Sequence, residues 1–290
     1  MPKSVHLCQL TTFRIGGTPA RYYHPRTCAE LEEALAECRA DGLPWRVFGG
    51  GSNLLVDEGR LPYAVIRIHA PGLDGIERTG PALVRVGAGV PTGRLLTWCR
   101  DEGLGGLEFM AGLPGTMGGA VAGNAGAWGE ETCGLVTRLH VVSPRGETWV
   151  LARRGLRYSY RCAELGGAII TAVELELSPR SPQLIALRMR EHALVRAERH
   201  PMRDWSAGCV FKNPPGLSAG KLLDLCGTKG WRVGDAEVSR LHANFIINRG
   251  SADADDVLRL IELMRTAVRR EFGIDLELEV RHWPARLQAA

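Results

Sequence analysis

The hydrophobic and polar positions of the chain follow strand spacing in short runs and helical spacing in longer segments. The run Trp45–Phe48 predicts a strand, and Leu31, Leu35 and Cys38 fall on one face of a helix predicted over Cys28–Asp41. Further strands are predicted at Ala20–His24, Leu54–Val56, Tyr63–Ile68, Leu83–Val86, Leu139–Ser143, Thr148–Leu151, Ala168–Leu177 and Leu276–Arg281. Further helices are predicted at Thr92–Glu102, Pro182–Arg199, Ala219–Cys226 and Asp253–Phe272. The chain therefore starts with a β-α-β unit, and the proline-rich stretch Ser178–Pro182 predicts a domain junction.

Three consecutive glycines, Gly49, Gly50 and Gly51, follow the strand that ends this unit, with Ser52 and Asn53 behind them. Glycine permits left-handed backbone, and successive N–H groups in such a turn form a concave site for a phosphate or pyrophosphate. The stretch is not a P-loop, because no Gly-Lys-Ser/Thr follows, and its spacing differs from the dinucleotide-binding fingerprint. From the residues alone, a phosphate site and an ordinary tight loop both stay open.

A second glycine-dense segment runs from Glu108 to Gly129. It holds too many glycines to be a stable helix throughout, yet it is too apolar for a solvated linker. Small residues over such a length allow the backbone to pack closely against a large flat ligand. The alternative is a glycine-rich crossover within the core.

The composition is that of a globular protein, with 290 residues, 45% hydrophobic and 23% charged. A net charge of +4 gives no support for a nucleic-acid partner. No apolar run is long enough to span a bilayer, the first residues lack a secretory apolar core, and the 8 cysteines include no Cys-x-x-Cys pair. We therefore expect a reduced cytoplasmic protein with no membrane association and no metal site, in which most cysteines are small core residues.

Seven motifs occur in one order along nearly the whole chain. They are Thr11–Gly17, Gly49–Leu55, Gly112–Gly129, Tyr160–Arg161, Ser206–Pro214, His242–Asn248 and Leu276–Arg281. With this set the chain resembles the UDP-N-acetylenolpyruvoylglucosamine reductases, also called UDP-N-acetylmuramate dehydrogenases. The resemblance implies a flavoenzyme of bacterial cell-wall synthesis, with non-covalent FAD as cofactor and NADPH as reducing co-substrate. Its other substrate would be UDP-N-acetylglucosamine enolpyruvate.

The resemblance also implies an α+β fold, with a two-lobed FAD-binding region of the vanillyl-alcohol-oxidase/PCMH-like type and a separate α/β substrate domain. We place the first FAD-binding lobe at residues 1–70 and the second at 71–179. The substrate domain is expected at 180–272, and a C-terminal strand returning to the active site at 273–290. The sequence does not determine the oligomeric state, for which a monomer is the expectation.

The family's site residues can be carried over to matching positions of this chain. FAD would be held by Gly49, Gly50, Gly51, Ser52, Asn53, Leu54, Gly112, Gly115, Thr116, Gly118, Asn124, Ala125 and Gly126. Hydride from the reduced flavin would reach the β-carbon of the enolpyruvyl group, which pushes charge onto its carboxylate. By the resemblance, Arg161 stabilises the resulting enolate, Cys209 gives a proton to the α-carbon, and Glu279 supports the carboxylate and Arg161.

Cys209 stands where many relatives have serine. A thiol with an ordinary pKa of about 8.5 is a better acid than an aliphatic hydroxyl, but it must stay protonated to donate. A neighbouring cation such as Arg161 would lower the pKa of the thiol. We therefore expect activity to fall on the alkaline side as Cys209 ionises.

The chain departs from the family pattern at two places. Cys162 and Ala163 replace a polar pair that usually follows Tyr-Arg, and the interval from Arg161 to Ser206 lacks the loop whose tyrosine closes over the nucleotide sugar in one subclass. The chain therefore resembles the subclass without that loop, and its UDP contacts must come from elsewhere. The candidates for substrate binding are Tyr160, Lys212, Asn213, Lys229 and His242.

Two other functions stay open at this point. One is an FAD-dependent oxidase of the same fold that acts on another small alcohol or sugar, and it would not need Arg161, Cys209 and Glu279 together. The other is a non-catalytic protein that binds a nucleotide sugar. The preference for NADPH over NADH and a dependence on a monovalent cation are not determined by the sequence.

Overall fold

The structure, a computed structural model, describes residues 5–286 and divides the chain into two compact units. Unit 1 consists of Met1–Ala20, Gly51–Pro62 and Ala197–Ala290, and unit 2 consists of Arg21–Gly50 and Tyr63–Arg196. The stretch at 178–182, where we expected a junction, lies inside unit 2, and the chain changes unit after Arg196. The finer functional division at residues 70, 179 and 272 stays a prediction.

The helices of the described chain are α1 (Cys28–Ala40), α2 (Thr92–Asp101), α3 (Met117–Ala122), α4 (Pro182–Arg199), α5 (Ala219–Leu225) and α6 (Ala254–Phe272). Short 3-10 turns lie at Leu7–Gln9, Glu108–Met110, Thr132–Leu135 and Arg153–Gly155.

The strands follow in chain order. Those of the first half are β1 (Thr18–Tyr23), β2 (Trp45–Phe48), β3 (Leu54–Val56), β4 (Arg60–Arg67), β5 (Ile76–Arg78), β6 (Leu83–Gly87), β7 (Leu104–Gly105), β8 (Gly126–Ala127) and β9 (Glu130–Glu131). Those of the second half are β10 (Val136–Val142), β11 (Thr148–Ala152), β12 (Tyr158–Ser159), β13 (Cys162–Ala163), β14 (Ile169–Glu176), β15 (Ser178–Pro179), β16 (Arg232–Val233), β17 (Ala236–Val238), β18 (Ile246–Asn248) and β19 (Arg281–Trp283).

Unit 2 is built around an antiparallel five-stranded sheet with the order β11-β10-β14-β6-β5. One face of it is apolar because alternate residues of neighbouring strands meet in register: Leu139 lies opposite Val173, which lies opposite Val86, and all three are buried. Helix α3 packs on β14 and β6. The glycine-dense segment is therefore attached to the core of this sheet.

The predicted β-α-β unit is present in the first part of the chain. Helix α1 begins after Thr27, whose hydroxyl accepts a hydrogen bond from the Glu30 N–H at 3.2 Å. Strand β2 pairs in parallel with β4, from Trp45 opposite Ala64 to Phe48 opposite Arg67, within a sheet of order β1-β4-β2. Strand β2 thus ends at Phe48, directly before the three glycines.

Unit 1 has a core formed by α6 against a small antiparallel sheet of order β16-β17-β18. Helix α6 is well defined at both ends, since the Asp253 side chain accepts from the Asp256 N–H at 2.7 Å and Gly273 is left-handed with φ 69°. Its apolar stripe is buried as the periodicity predicted: Val257, Leu260, Ile261, Met264 and Val268.

The strand predicted at Leu276–Arg281 is wrong in its bounds. Strand β19 begins at Arg281 and pairs in parallel with β3. The preceding residues lie along 210–212 through single contacts, in which the Lys212 N–H donates to the Glu277 oxygen and the Glu279 N–H donates to the Val210 oxygen, both at 2.8 Å. The alternation of apolar and polar residues at 276–280 reflects an extended segment with one buried side. Such a segment does not need the hydrogen-bond ladder of a β-sheet.

Cysteine burial follows the expectation only in part. Cys38, Cys99 and Cys133 are fully buried, whereas Cys8, Cys28, Cys162, Cys209 and Cys226 are half-buried. Burial raises the pKa of the Cys99 and Cys133 thiols to about 12, as expected for inert core residues. Among the described residues, we find no helix with the length and apolar character required to cross a membrane.

Candidate active site

The first two glycines of the triplet belong to unit 2 and lie against the glycine-dense segment. A Cβ placed on Gly50 would lie 2.6 Å from the Gly115 Cα, and one placed on Gly49 would lie 2.8 Å from the Thr116 Oγ1. Thr116 is the N-cap of α3, where its hydroxyl accepts from the Gly119 N–H. Only glycine permits this approach of the two backbones, so the two predicted cofactor motifs are in contact here.

The remainder of the triplet loop belongs to unit 1. Gly51 is left-handed with φ 66°, and its carbonyl oxygen accepts from the Thr12 N–H at 3.1 Å. The Asn53 Nδ2 donates to the Glu279 carbonyl oxygen at 3.1 Å, and the Arg281 N–H donates to the Asn53 oxygen at 3.1 Å. The loop is therefore held in a turned conformation, and its left-handed glycine and glycine-only packing fit the predicted pyrophosphate site.

The glycine-dense segment needs small residues for a specific reason. Gly112 and Gly115 have φ of 78° and 127°, in the region that favours glycine. A Cβ on Gly118 would lie 2.8 Å from the Ala88 Cβ. A Cβ on Gly112 would lie 3.0 Å from the Cδ of Arg196. The part of the segment from Gly112 to Gly118 is thus closely packed within unit 2.

Helix α4 contributes residues to this region that the sequence did not indicate. The Arg196 guanidinium lies 4.9 Å from the Trp128 ring, and the His192 ring lies 4.1 Å from it on the same helix. Trp128 itself has a left-handed φ of 54°. In sequence Arg196 has the appearance of a surface cation on an amphipathic helix, whereas it is 7% exposed.

Arg161 lies at the turn of a short hairpin made of β12 and β13, in which Ser159 is opposite Cys162. Its backbone is left-handed with φ 59°, a conformation that costs free energy for a residue with a side chain and that concentrates at functional sites. Its Nη1 donates to the Gly126 oxygen at 3.0 Å, and its guanidinium lies 5.1 Å from the Tyr160 ring. Unit 2 therefore brings Tyr160 and Arg161 to the predicted flavin segment.

In unit 1, Cys209 and Glu279 lie on adjacent segments of chain. Cys209 forms a backbone bridge with Phe245, and the Glu279 N–H donates to the oxygen of Val210, the residue after Cys209. The Asn244 side chain accepts from the Phe211 N–H at 2.9 Å and donates to the Phe211 oxygen at 2.8 Å. Asn53, Cys209 and Glu279 are thus brought together, and the buried Asn244 amide fixes the extended segment that carries the thiol.

The candidate substrate residues of unit 1 make contacts within the unit. Lys212 is paired with Glu277, and Lys229 with Asp224 at 2.9 Å. The Asn213 Oδ1 accepts from the Ala219 N–H at the start of α5, at 3.0 Å. Both lysines therefore hold carboxylate partners that an anionic ligand would have to replace or share.

His242 packs tightly against α5. A Cβ on Gly220 would lie 2.8 Å from its ring, and its Nδ1 accepts from the Asn244 N–H at 3.2 Å. Burial, and then the nearby Lys229 ammonium, lower the pKa of His242 below its ordinary 6.5. The neutral imidazole is therefore the stable form, with its remaining Nε2–H as a possible donor.

Comparisons with known proteins show the family of this chain. A family model for an FAD binding domain matches residues 19–152, and a model for the C-terminal domain of UDP-N-acetylenolpyruvoylglucosamine reductase matches residues 200–283. A UDP-N-acetylenolpyruvoylglucosamine reductase of Moorella thermoacetica is 43% identical over 279 residues, which cover 96% of this chain and 91% of the relative. The chain belongs to the UDP-N-acetylenolpyruvoylglucosamine reductase family.

Other members of this reductase family are similar over the same extent. The reductase of Syntrophotalea carbinolica is 40% identical and covers 95% of this chain and 91% of the relative. The crystal structure of the reductase from Thermus caldophilus has a TM-score of 0.82 at 39% identity, covering 97% of this chain and 98% of that chain. The family resemblance and the α+β fold with its FAD-binding region are confirmed.

The structure adds residues to the site that the motifs did not single out. Thr12 and Asn244 lie inside the motifs at 11–17 and 242–248. The motifs therefore included these two residues, but the sequence did not indicate what they do. Glu131 and Arg196 lie in none of the seven motifs. Only their hydrogen bonds to the glycine-dense segment, seen in the structure, connect them with the site. Arg161 is in unit 2 while Cys209 and Glu279 are in unit 1, and their joint action stays a prediction.

Proposed function

We propose that this protein reduces the enolpyruvyl group of UDP-N-acetylglucosamine enolpyruvate to a lactyl ether, with NADPH as reductant, giving UDP-N-acetylmuramate for peptidoglycan synthesis. The observation that carries the proposal is the 43% identity to a reductase of this name over 96% of the chain. It is supported by the presence of Arg161, Cys209 and Glu279 at the matching motif positions. A cytoplasmic monomer is the expected form of the enzyme.

FAD, when bound, accepts a hydride from NADPH and supplies it to the β-carbon of the substrate. The residues that would hold FAD lie in two glycine-rich stretches, in which turns of glycine backbone can offer N–H groups to a pyrophosphate. We assign to this role the loop 49–54 and the positions Gly112, Gly115, Thr116, Gly118, Ala125 and Gly126, with Asn124 treated separately below. The packing of Gly50 on Gly115 supports the assignment, because it brings the two motifs into backbone contact and a side chain at Gly50 would clash with Gly115.

Arg161 would stabilise the charge that develops when hydride reaches the substrate, and Glu279 would support the substrate carboxylate and Arg161. A guanidinium has five N–H donors in a rigid fork, one of which is used by Arg161 on the Gly126 oxygen. Removing one such fixed donor in other enzymes lowers the rate by about 10²–10³-fold. The left-handed backbone at Arg161 is the kind of strain that a preformed site retains.

Cys209 would hold its proton on Sγ and give it to the α-carbon once charge has moved there. The segment that carries it is held by hydrogen bonds of Val210 with Glu279 and of Phe211 with Asn244, so the backbone next to the thiol is fixed by both neighbouring segments. A positioned acid contributes about 10²–10⁴-fold to the rate of such a step.

The nucleotide end of the substrate would contact unit 1 residues and Tyr160, whose side chain is 48% exposed. Lys212 and Lys229 supply positive charge for a diphosphate, while Asn213 and His242 supply donors. Because each lysine holds a carboxylate, binding of the diphosphate would exchange one anionic partner for another.

The test is anaerobic stopped-flow spectroscopy of the purified protein. NADPH should bleach the flavin band, and addition of the enolpyruvyl nucleotide sugar should restore it with formation of the lactyl product. Flavin that is reduced by a small alcohol or sugar and rapidly reoxidised by oxygen would support the oxidase instead. A colourless protein that binds the nucleotide but not FAD would support the non-catalytic alternative.

A further inference from the structure

The side chain of Asn124 is buried at 1% exposure between three segments of unit 2. Its Oδ1 accepts from the Cys133 N–H at 3.1 Å. Its Nδ2 donates to the Ser159 carbonyl oxygen at 3.0 Å and to the Glu131 carboxylate at 2.8 Å. Both amide hydrogens are therefore used inside the protein, which leaves this side chain no donor for a cofactor.

The hydrogen bond from Asn124 to the Ser159 carbonyl oxygen attaches Asn124 to the hairpin that carries Arg161. Ser159 is the last residue of β12, two residues before Arg161 in the hairpin that presents the guanidinium. The same hairpin is attached a second time, because the Arg161 Nη1 donates to the oxygen of Gly126, two residues after Asn124. Residues 124–126 of the glycine-dense segment therefore bind the hairpin at two points, the backbone at Ser159 and the guanidinium of Arg161.

The backbone conformation around this hairpin also favours asparagine at position 124. Asn124, Trp128 and Arg161 have left-handed φ values of 38°, 54° and 59°. Asparagine tolerates this conformation better than most residues with side chains, and its planar amide offers an acceptor and two donors close to the backbone. Aspartate would lose both donors and would face the Glu131 carboxylate as a like charge.

We propose that Asn124 is a positioning residue that fixes the Tyr158–Ala163 hairpin and thereby sets where the Arg161 guanidinium lies. This rests on the proposed function, in which that guanidinium stabilises charge on the substrate carboxylate. The flavin contact expected for Asn124 is then limited to its backbone. Glu131 shares the task, since its carboxylate takes one of the two amide hydrogens.

The first measurement does not depend on the reaction. Amide hydrogen exchange is followed in wild type, in Asn124→Asp and in Asn124→Gly, which suits the left-handed backbone and removes the side-chain bonds without adding charge. We expect faster exchange in the peptide covering 158–163 and, in the glycine variant, at the Cys133 N–H, which loses its acceptor, with the five-stranded sheet unchanged. If Asn124→Gly leaves the exchange rate of the 158–163 peptide unchanged, the proposal is overturned. This result is decisive even if Asn124→Asp does not fold.

The second measurement separates the half-reactions. We expect reoxidation of reduced flavin by the enolpyruvyl substrate to fall by about 10- to 100-fold in both variants, as for a misplaced catalytic group. Flavin reduction by NADPH and the FAD content should stay within about twofold of wild type, because the misplaced group is expected to act on the substrate and not on these two quantities. A loss of FAD affinity with an unchanged substrate half-reaction would make Asn124 a cofactor ligand and overturn the proposal.

A second pair of variants separates loss of the hydrogen bond to Ser159 from like-charge repulsion. In Glu131→Gln the side-chain oxygen can still accept from the Asn124 Nδ2, and the contacts of Asn124 with Cys133 and Ser159 are kept, so this variant is the single-substitution reference. In the Asn124→Asp background, Glu131→Gln removes the like charge and lets the glutamine amide donate to the introduced carboxylate, but no donor faces the Ser159 oxygen, so exchange in 158–163 should stay faster than in wild type. Full recovery of wild-type protection in the double variant would contradict the proposal. A wild-type protein without reductase activity would instead remove the proposed function, while the exchange result would still test the positioning.

Discussion

The Nε of Arg196 donates to the carbonyl oxygen of Ala111 at 3.0 Å, across 85 residues of sequence. The Nη2 of the same side chain donates to the Phe109 oxygen at 3.3 Å. Since Gly112 follows directly and has no side chain, the arginine stem lies against the backbone. Helix α4 therefore holds the beginning of the glycine-dense segment through a buried charge.

Replacing Arg196 with Gln should destabilise unit 2 and weaken FAD binding. The buried carbonyl oxygens of Phe109 and Ala111 would lose a charged donor, at a cost of about 1–3 kcal/mol. Urea unfolding and titration of the apoprotein with FAD measure the two effects. Arg190→Gln, at an exposed position of the same helix, is the matched control and should leave both quantities unchanged. Equal effects of the two substitutions would contradict the role given to Arg196.

Replacing Gly50 with Ala should abolish stable FAD binding, because the new Cβ would lie 2.6 Å from the Gly115 Cα and one backbone would have to move. The control is Gly93→Ala in α2, where a Cβ meets nothing within 4 Å. That change should stabilise the protein by roughly 0.5–1 kcal/mol, as expected for alanine over glycine in a helix. Flavin absorbance after gel filtration and thermal unfolding report the outcomes. Retention of FAD by the Gly50 variant would show that the two motifs do not need this contact.

Replacing Cys209 with Ala should lower the rate of substrate reduction by about 10²–10⁴-fold and leave flavin reduction by NADPH intact. Cys209→Ser should retain activity, since a serine hydroxyl can also hold and donate a proton, and should lose the decline on the alkaline side that thiol ionisation predicts. Turnover measured against pH distinguishes the variants, with Cys226→Ala, another half-buried thiol of unit 1, as the control. An alkaline decline that persists unchanged in the serine variant would rule out ionisation of this thiol as its cause.

The stability of the protein should decrease as the pH falls below about 6.5 because of His242. Its pKa in the folded state lies below the ordinary 6.5, so the unfolded chain takes up the proton first and is favoured on acidification. Above the ordinary value both states are neutral and the contribution is constant. The free energy of unfolding, measured with urea between about pH 7 and 5, should fall with a slope of at most ~1.4 kcal/mol per pH unit from this group.

Two substitutions test the assignment of this slope. His242→Gln should make the dependence shallower, because no titrating group is left at the position. Lys229→Met should also make it shallower, because the Lys229 charge contributes to the lowered pKa of His242. A slope that is identical in wild type and His242→Gln would assign the effect to other groups.

Local periodicity predicted much of the fold. The helix predicted at Cys28–Asp41 is observed at Cys28–Ala40, and that predicted at Thr92–Glu102 is observed at Thr92–Asp101. Both have a regular apolar face and a clear stop, which are properties of nearby residues. The strand Ile76–Arg78 was missed because it is a short, mostly polar edge strand next to β6.

The details of the site needed the tertiary structure. Motif order identified Arg161 and Cys209, but the partner of Asn124 at Ser159 is 35 residues away, and that of Arg196 at Ala111 is 85 residues away. Hydrogen bonds between such distant residues leave no periodic signal in the chain. The sequence therefore predicts which residues carry the chemistry more readily than which residues hold them in place.

The parallel pairing of Arg281–Trp283 with Leu54–Val56 has a consequence for biosynthesis. The second partner is synthesised only after the whole of Tyr63–Arg196 has been made. At 5–20 residues per second, the ~85 residues from Arg196 to Arg281 take about 4 to 17 seconds to synthesise. During that interval the nascent polypeptide carries the apolar strand Leu54–Val56 without its neighbour, which makes this strand a natural binding segment for a chaperone.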